Sequence, residues 1–109
     1  MQDLRMLMVM VKREDEESFL TLLREQGVSS LFSVLCQGTA SPKLLNLMGL
    51  EKAEKTLIYT LVRREKAAGL MAHMVSQLGL DMPGQGIALT LPVGSIGGAS
   101  SLKLLTENQ

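Results

Sequence analysis

Two kinds of apolar pattern alternate along this chain, and their order constrains the fold more than any single residue does. Leu4 to Arg13 (LRMLMVMVKR) is a continuous apolar run with charged ends, a length and setting that suit a buried strand. Its methionines read as packing, distributed over both faces of that strand. The next segment, REDEESFLTLLREQG, places acids first, then Phe19, Leu20, Leu22 and Leu23 at helical spacing, then Gly27 as a stop. Val28 to Gly38 is β-compatible, with Leu31, Ser33 and Leu35 on one face and Phe32, Val34 and Cys36 on the other. Lys55 to Arg64 reads as a third strand. A second helix follows, with Ala67, Leu70, Met71, Met74, Val75 and Leu78 on one stripe and Gly79 and Pro83 as terminators. Gly86 to Val93 closes the series as a fourth strand.

Strand, helix, strand, strand, helix, strand is the order of the split βαβ unit. It predicts an α+β, ferredoxin-like βαββαβ domain, a four-stranded antiparallel sheet with two helices on one face. A chain of 109 residues with 46% hydrophobic content is enough for one such core. The domain is expected over residues 1–97, with the Gly- and Ser-rich 98–109 as a flexible tail.

One segment exceeds what this plan requires. A tight hairpin would join the second and third strands, yet GTASPKLLNLMGLEKAEKT, residues 38 to 56, stands between them. Ser41 suits a helix N-cap, Pro42 the first helical position and Gly49 the left-handed stop, so an extra short helix is expected there. Leu44, Leu45, Leu47 and Met48 cover most of its circumference. Burying two such leucines is worth about 3 kcal/mol. Either the helix packs on its own molecule or a neighbouring subunit, or Leu44, Leu47 and Met48 dock a partner.

Composition excludes several functions. Eleven basic and eleven acidic residues balance to zero, so no field draws the chain to nucleic acid or to an anionic membrane, and neutrality favours self-association. With 3% aromatic residues and no Trp, single-strand stacking platforms are missing. No apolar run is long enough to insert in a membrane, and a single cysteine with no signal peptide points to the cytoplasm. One histidine, one cysteine and scattered carboxylates lack metal-ligand spacing and offer no convergent catalytic set. Neither enzyme chemistry nor a metal is expected. His73 reads as a surface or hydrogen-bonded structural residue, Cys36 as a small buried one and Tyr59 as structural.

The element order, the long segment between strands two and three, and GQGIALTLPV after the second helix together resemble the P-II nitrogen-regulatory signalling proteins. GTASPKLLNLMGLEKAEK is similar to the short-loop P-II-like branch of that family. The resemblance covers roughly residues 4 to 96 and is specific only in combination, since two glycines around one residue are a weak signal. It implies a non-catalytic homotrimer that binds an adenine nucleotide (AMP, ADP or ATP) in clefts between subunits. The 38–56 loop would relay the ligand to a membrane transporter or enzyme partner.

Carried over residue by residue, the resemblance assigns ligand contacts to Gly38, Thr39 and Ala40 on one side and to Gly84, Gln85, Gly86 and Ile87 on the other. Lys55 matches the family's lysine at the start of strand three. The family's lysine after the glycine turn falls on Ile87, and its two arginines fall on Gly98 and Ser100. Each lost charge-assisted contact costs about 1.5 to 3 kcal/mol, which leaves two ligands open in place of a typical triphosphate: a nucleotide with fewer phosphates, bound more weakly, or another anion. Support for 2-oxoglutarate as a co-ligand is correspondingly weak. Arg13, Arg63 and Arg64 are candidates for replacement charge. The alternative is an interaction trimer of the same fold that has lost nucleotide binding.

Overall fold

The computed structural model describes residues 3–36, 43 and 54–98. The short helix expected within 38–56 falls almost wholly outside these residues, and the tail does so from 99 onward.

Strand β1 (Leu4–Lys12) passes through a 3-10 turn at Arg13–Asp15 into helix α1 (Glu16–Glu25). Strands β2 (Phe32–Cys36) and β3 (Lys55–Arg63), helix α2 (Arg64–Leu78) and strand β4 (Ile87–Pro92) follow. The sheet order is β2-β3-β1-β4 and every neighbouring pair is antiparallel. This is the ferredoxin-like arrangement that the element order implied. Boundaries differ from the sequence reading mainly at β2, where the ladder begins at Phe32. Val28, upstream of the ladder, is buried beneath the α1–β2 connection.

Both helices end as their sequences dictate. Gly27 adopts φ 92° just beyond α1, and Gly79 caps α2 in the left-handed conformation at φ 64°. All four apolar positions of α1 (Phe19, Leu20, Leu22 and Leu23) are buried. On α2, Leu70 and Met74 are buried, and Ala67, Met71, Val75 and Leu78 pack at the margin of the same core. These helices meet a sheet face formed by Leu7, Val9 and Val11 of β1 with Ile58 and Val62 of β3. Thr56 and Thr60 lie on that buried face and keep their hydroxyls satisfied. Thr56 Oγ1 lies 3.2 Å from both Glu16 Oε1 and the Val34 carbonyl, while Thr60 donates to the Ser30 carbonyl.

The pleat sends every second residue to the opposite face. Met6, Met8 and Met10 therefore all lie on one side of β1, which corrects the expectation that the methionines are distributed over both faces. Their cross-strand partners are Leu61, Tyr59 and Leu57 on β3 and Leu91, Leu89 and Ile87 on β4. Phe32 and Val34 of β2 continue the row, with Phe32 stacked on Tyr59 at a centroid distance of 5.5 Å. This outer face is apolar from edge to edge, and no described helix covers it. Cys36, expected to be buried, is half-buried at the end of edge strand β2.

Candidate functional site

Strand directions decide what can meet. In this sheet β1 and β2 end, and β3 and β4 begin, at the same end. Cys36 pairs with Lys55, Lys55 pairs with Lys12, and Ile87 pairs with Met10 one step further in. The exit of β2 toward Gly38, Thr39 and Ala40 thus lies at the same end of the sheet as Lys55 and the Gly84–Gly86 turn. Those three residues themselves are outside the described set.

Laterally the two halves are apart. Strands β2 and β4 form the opposite edges of the sheet, three inter-strand spacings of about 4.8 Å from one another, or roughly 14 Å.

Local structure explains the turn itself. Gln85 N donates to the Met82 carbonyl at 3.2 Å, and Gly84 has φ 87°. With Pro83 at the second position and Gly84 at the third, this is a type II turn, which requires a residue tolerant of positive φ there. Gly86 has φ 116°, and a Cβ on it would stand 2.3 Å from the Met10 carbonyl oxygen and 3.1 Å from Val11 Cγ1. Only glycine lets the chain pass this close to β1 before it joins the sheet as β4. Both glycines therefore have structural causes within one chain. Any ligand role they have comes from the location of the turn.

Of the three candidate arginines, only one lies at this end of the sheet. Arg63 ends β3 eight residues from Lys55, roughly 27 Å along an extended strand, and Arg64 follows it as the first residue of α2. Within one protomer they therefore do not reach Lys55. Arg13 is at the right end, but its guanidinium is paired with Glu54 at 3.2 Å in an exposed ion pair. Ile87 opens β4 on the outer face and is 44% exposed, an apolar side chain at the position where the P-II resemblance expects a lysine. Lys12, which no motif marked, lies directly across from Lys55 on that face. Only the β1–β3 register reveals it, because the two residues are 43 positions apart in sequence.

Other singled-out residues have structural roles. His73 Nδ1 lies 2.7 Å from the Gly69 carbonyl one turn earlier in α2. Among the described residues no group of three or more histidine, cysteine, aspartate or glutamate side chains could hold a metal ion. No described helix is long and apolar enough to cross a membrane. A shallow apolar depression of about 480 Å³ on the outer face is lined by Met6, Met8, Leu57, Tyr59 and Leu91.

The arrangement defines a class: a βαββαβ sheet with one helical face, one open apolar face, and the β2 exit and the Gly84–Gly86 turn at a common end. That class is the PII fold. The apo form of CPII, a nitrogen regulatory PII-like protein from Thiomonas intermedia K12, superposes with a TM-score of 0.66 at 19% identity, covering 83% of this chain and 88% of that one. The same protein bound to ADP, AMP and acetate gives 0.63 at 21% identity over 84% and 89%. PII of Arabidopsis thaliana bound to citrate gives 0.64 at 14% identity over 85% and 79%. The chain matches no protein-family model and no curated protein. The resemblance drawn from the glycine turns and the element order is thus matched at the level of the fold.

Proposed function

We propose that the chain is a non-catalytic PII-like regulatory protein acting as a homotrimer in the cytoplasm, with residues 1–97 as the regulatory domain. Its ligand is a small anionic metabolite, an adenine nucleotide, held in clefts between subunits. Gly38, Thr39 and Ala40 of one protomer and the Gly84, Gln85, Gly86 and Ile87 turn of the next form the two walls, with Lys55 at the base. The 38–56 loop reports occupancy to a transporter or enzyme through Leu44, Leu47 and Met48.

The observation that carries this reading is the common end of the sheet. The β2 exit and the Gly84–Gly86 turn share it but sit on opposite edges, a placement that suits a site formed where the β2 edge of one protomer approaches the β4 edge of another. The outer apolar face gives a reason for such an assembly, since a monomer would leave Phe32, Val34, Ile87, Leu89 and Leu91 in water. The nucleotide-bound forms of CPII support the ligand class. Calorimetric titration with AMP, ADP and ATP, with and without 2-oxoglutarate, is the test. Heat with a nucleotide is expected, and silence at millimolar concentration ends the nucleotide reading.

A second reading has its own observation. Gly84 and Gly86 are both accounted for by turn geometry and backbone proximity, and Ile87 and Gly98 replace cations. The same trimer without nucleotide binding, with the loop leucines buried permanently at an interface, fits these facts. The double change Leu44→Asp, Leu47→Asp separates the two. Light scattering should find an intact trimer under the signalling reading and lost assembly under the structural one.

A further inference from the structure

We propose that Met6 and Met8 form a thioether site for one soft monovalent metal ion, of the copper(I) or silver(I) type, with the ring of Tyr59 beside it. Both methionines belong to one chain, so the site is built within a single protomer and does not rest on the nucleotide reading above.

The row of methionines supplies the donors. Thioethers divided between the two faces of a strand could not share an ion, but Met6 and Met8 lie on the same face, about 7 Å apart at their Cα atoms. Both are half-buried, and both line the apolar depression of about 480 Å³ on the outer face. Methionine is unbranched and its sulfur is polarizable, so the two side chains can swing onto one ion without moving the strand. Met10 continues the row outside that depression.

The surroundings decide which metal fits. Tyr59 is the cross-strand partner of Met8 and lines the same depression. Its ring is stacked on Phe32 of β2 with an interplanar angle of 19°, so Phe32 covers the ring face toward β2 and the other face is turned toward β1 and Met8. A cation held over that face is attracted by the electron density of the ring, more strongly where water is excluded. The two rows of the ladder that hold the site are Leu61, Met6, Leu91 and Tyr59, Met8, Leu89, and none of these side chains is a carboxylate or an amide. A hard divalent cation needs several oxygen ligands and would be left uncompensated here, whereas neutral thioethers select a soft monovalent ion. Arg63 and Lys12 stand on the same face beyond the two ends of the methionine row, and their charge opposes a divalent ion twice as strongly as a monovalent one.

The test is titration with silver(I), carried out in Cys36→Ser so that the free thiol does not capture the ion. Native mass spectrometry counts ions per chain in each oligomeric species, which matters because the same face is proposed for self-association, and NMR of the methionine methyl groups locates the ion. One silver per chain is expected, shifting the methyls of Met6 and Met8 before that of Met82, the methionine that is 60% exposed. Adding Met6→Leu and Met8→Leu conserves side-chain volume and apolarity, so circular dichroism and mass should be unchanged while silver affinity falls at least about tenfold. Tyr59→Leu should weaken silver by about threefold, and zinc(II) should leave the Met6 and Met8 methyls where they are. Silver bound equally well by the double leucine variant, or shifting Met82 first, overturns the site. Zinc(II) that displaces silver overturns the thioether selectivity, and full affinity in Tyr59→Leu overturns the part given to the ring. None of these results depends on whether a nucleotide binds.

Discussion

Gly86 illustrates how a residue can be singled out for one reason and required for another. The turn GQG drew attention as a candidate ligand wall, yet a Cβ at Gly86 would lie 2.3 Å from a backbone oxygen that cannot move aside cheaply. Gly86→Ala is expected to destabilise the fold by about 2 kcal/mol or more, read as a shifted denaturation midpoint at constant slope. A change below about 0.5 kcal/mol would show that β4 passes β1 with room to spare. Gly69 is the contrasting case: it lies inside α2, and a Cβ there meets nothing within 4 Å. Gly69→Ala should therefore stabilise by about 0.8 to 1 kcal/mol, the ordinary helix-propensity gain, and a loss of stability would contradict the open space around it.

At the level of elements, the informative feature is the difference between the faces of one strand. Leu7 and Met8 are neighbours in sequence, but Leu7 is 1% exposed under the helices while Met8 faces outward opposite Tyr59. Leu7→Glu puts a charge into a core with no partner and should unfold the domain, with a loss above about 4 kcal/mol. Met8→Glu places the same charge on the face proposed for self-association. It should give a folded species of reduced mass, with circular dichroism like wild type and light scattering that reports dissociation. A Met8→Glu protein that keeps its wild-type mass would mean that this face is not the assembly surface. Element type and order were legible because α1 and α2 carry helical stripes of leucine and methionine, and because the glycines at 27 and 79 mark their ends. Strand faces were less legible. A continuous run such as LRMLMVMVK is apolar at both parities, so periodicity alone does not tell which side the helices take.

At the level of the whole molecule, the proposed site draws on the β2 exit and the Gly84–Gly86 turn at opposite edges of the sheet, and in that proposal a second protomer completes it. This geometry links two measurements: ligand binding should fall with protein concentration once the trimer dissociates, and a dissociated variant such as Met8→Glu should bind nucleotide at least tenfold more weakly. Undiminished binding by a monomer would place the ligand within one chain. Arg63 and Arg64 were plausible contributors in sequence, but β3 carries them a strand length away from Lys55. Lys12 had no motif to announce it and arrives beside Lys55 through register alone.

By itself, then, the sequence determined the kind and order of the four strands and two long helices, the helix stops, the helical core positions and the turn at Pro83 and Gly84, because each depends on residues within a few positions of one another. The pairing of Lys12 with Lys55, the shared outer face of the three methionines and the placement of the β2 and β4 strands at opposite edges of the sheet were decided only in the tertiary structure. They depend on strand order and register, which hydrogen bonding between distant segments sets and no local pattern encodes.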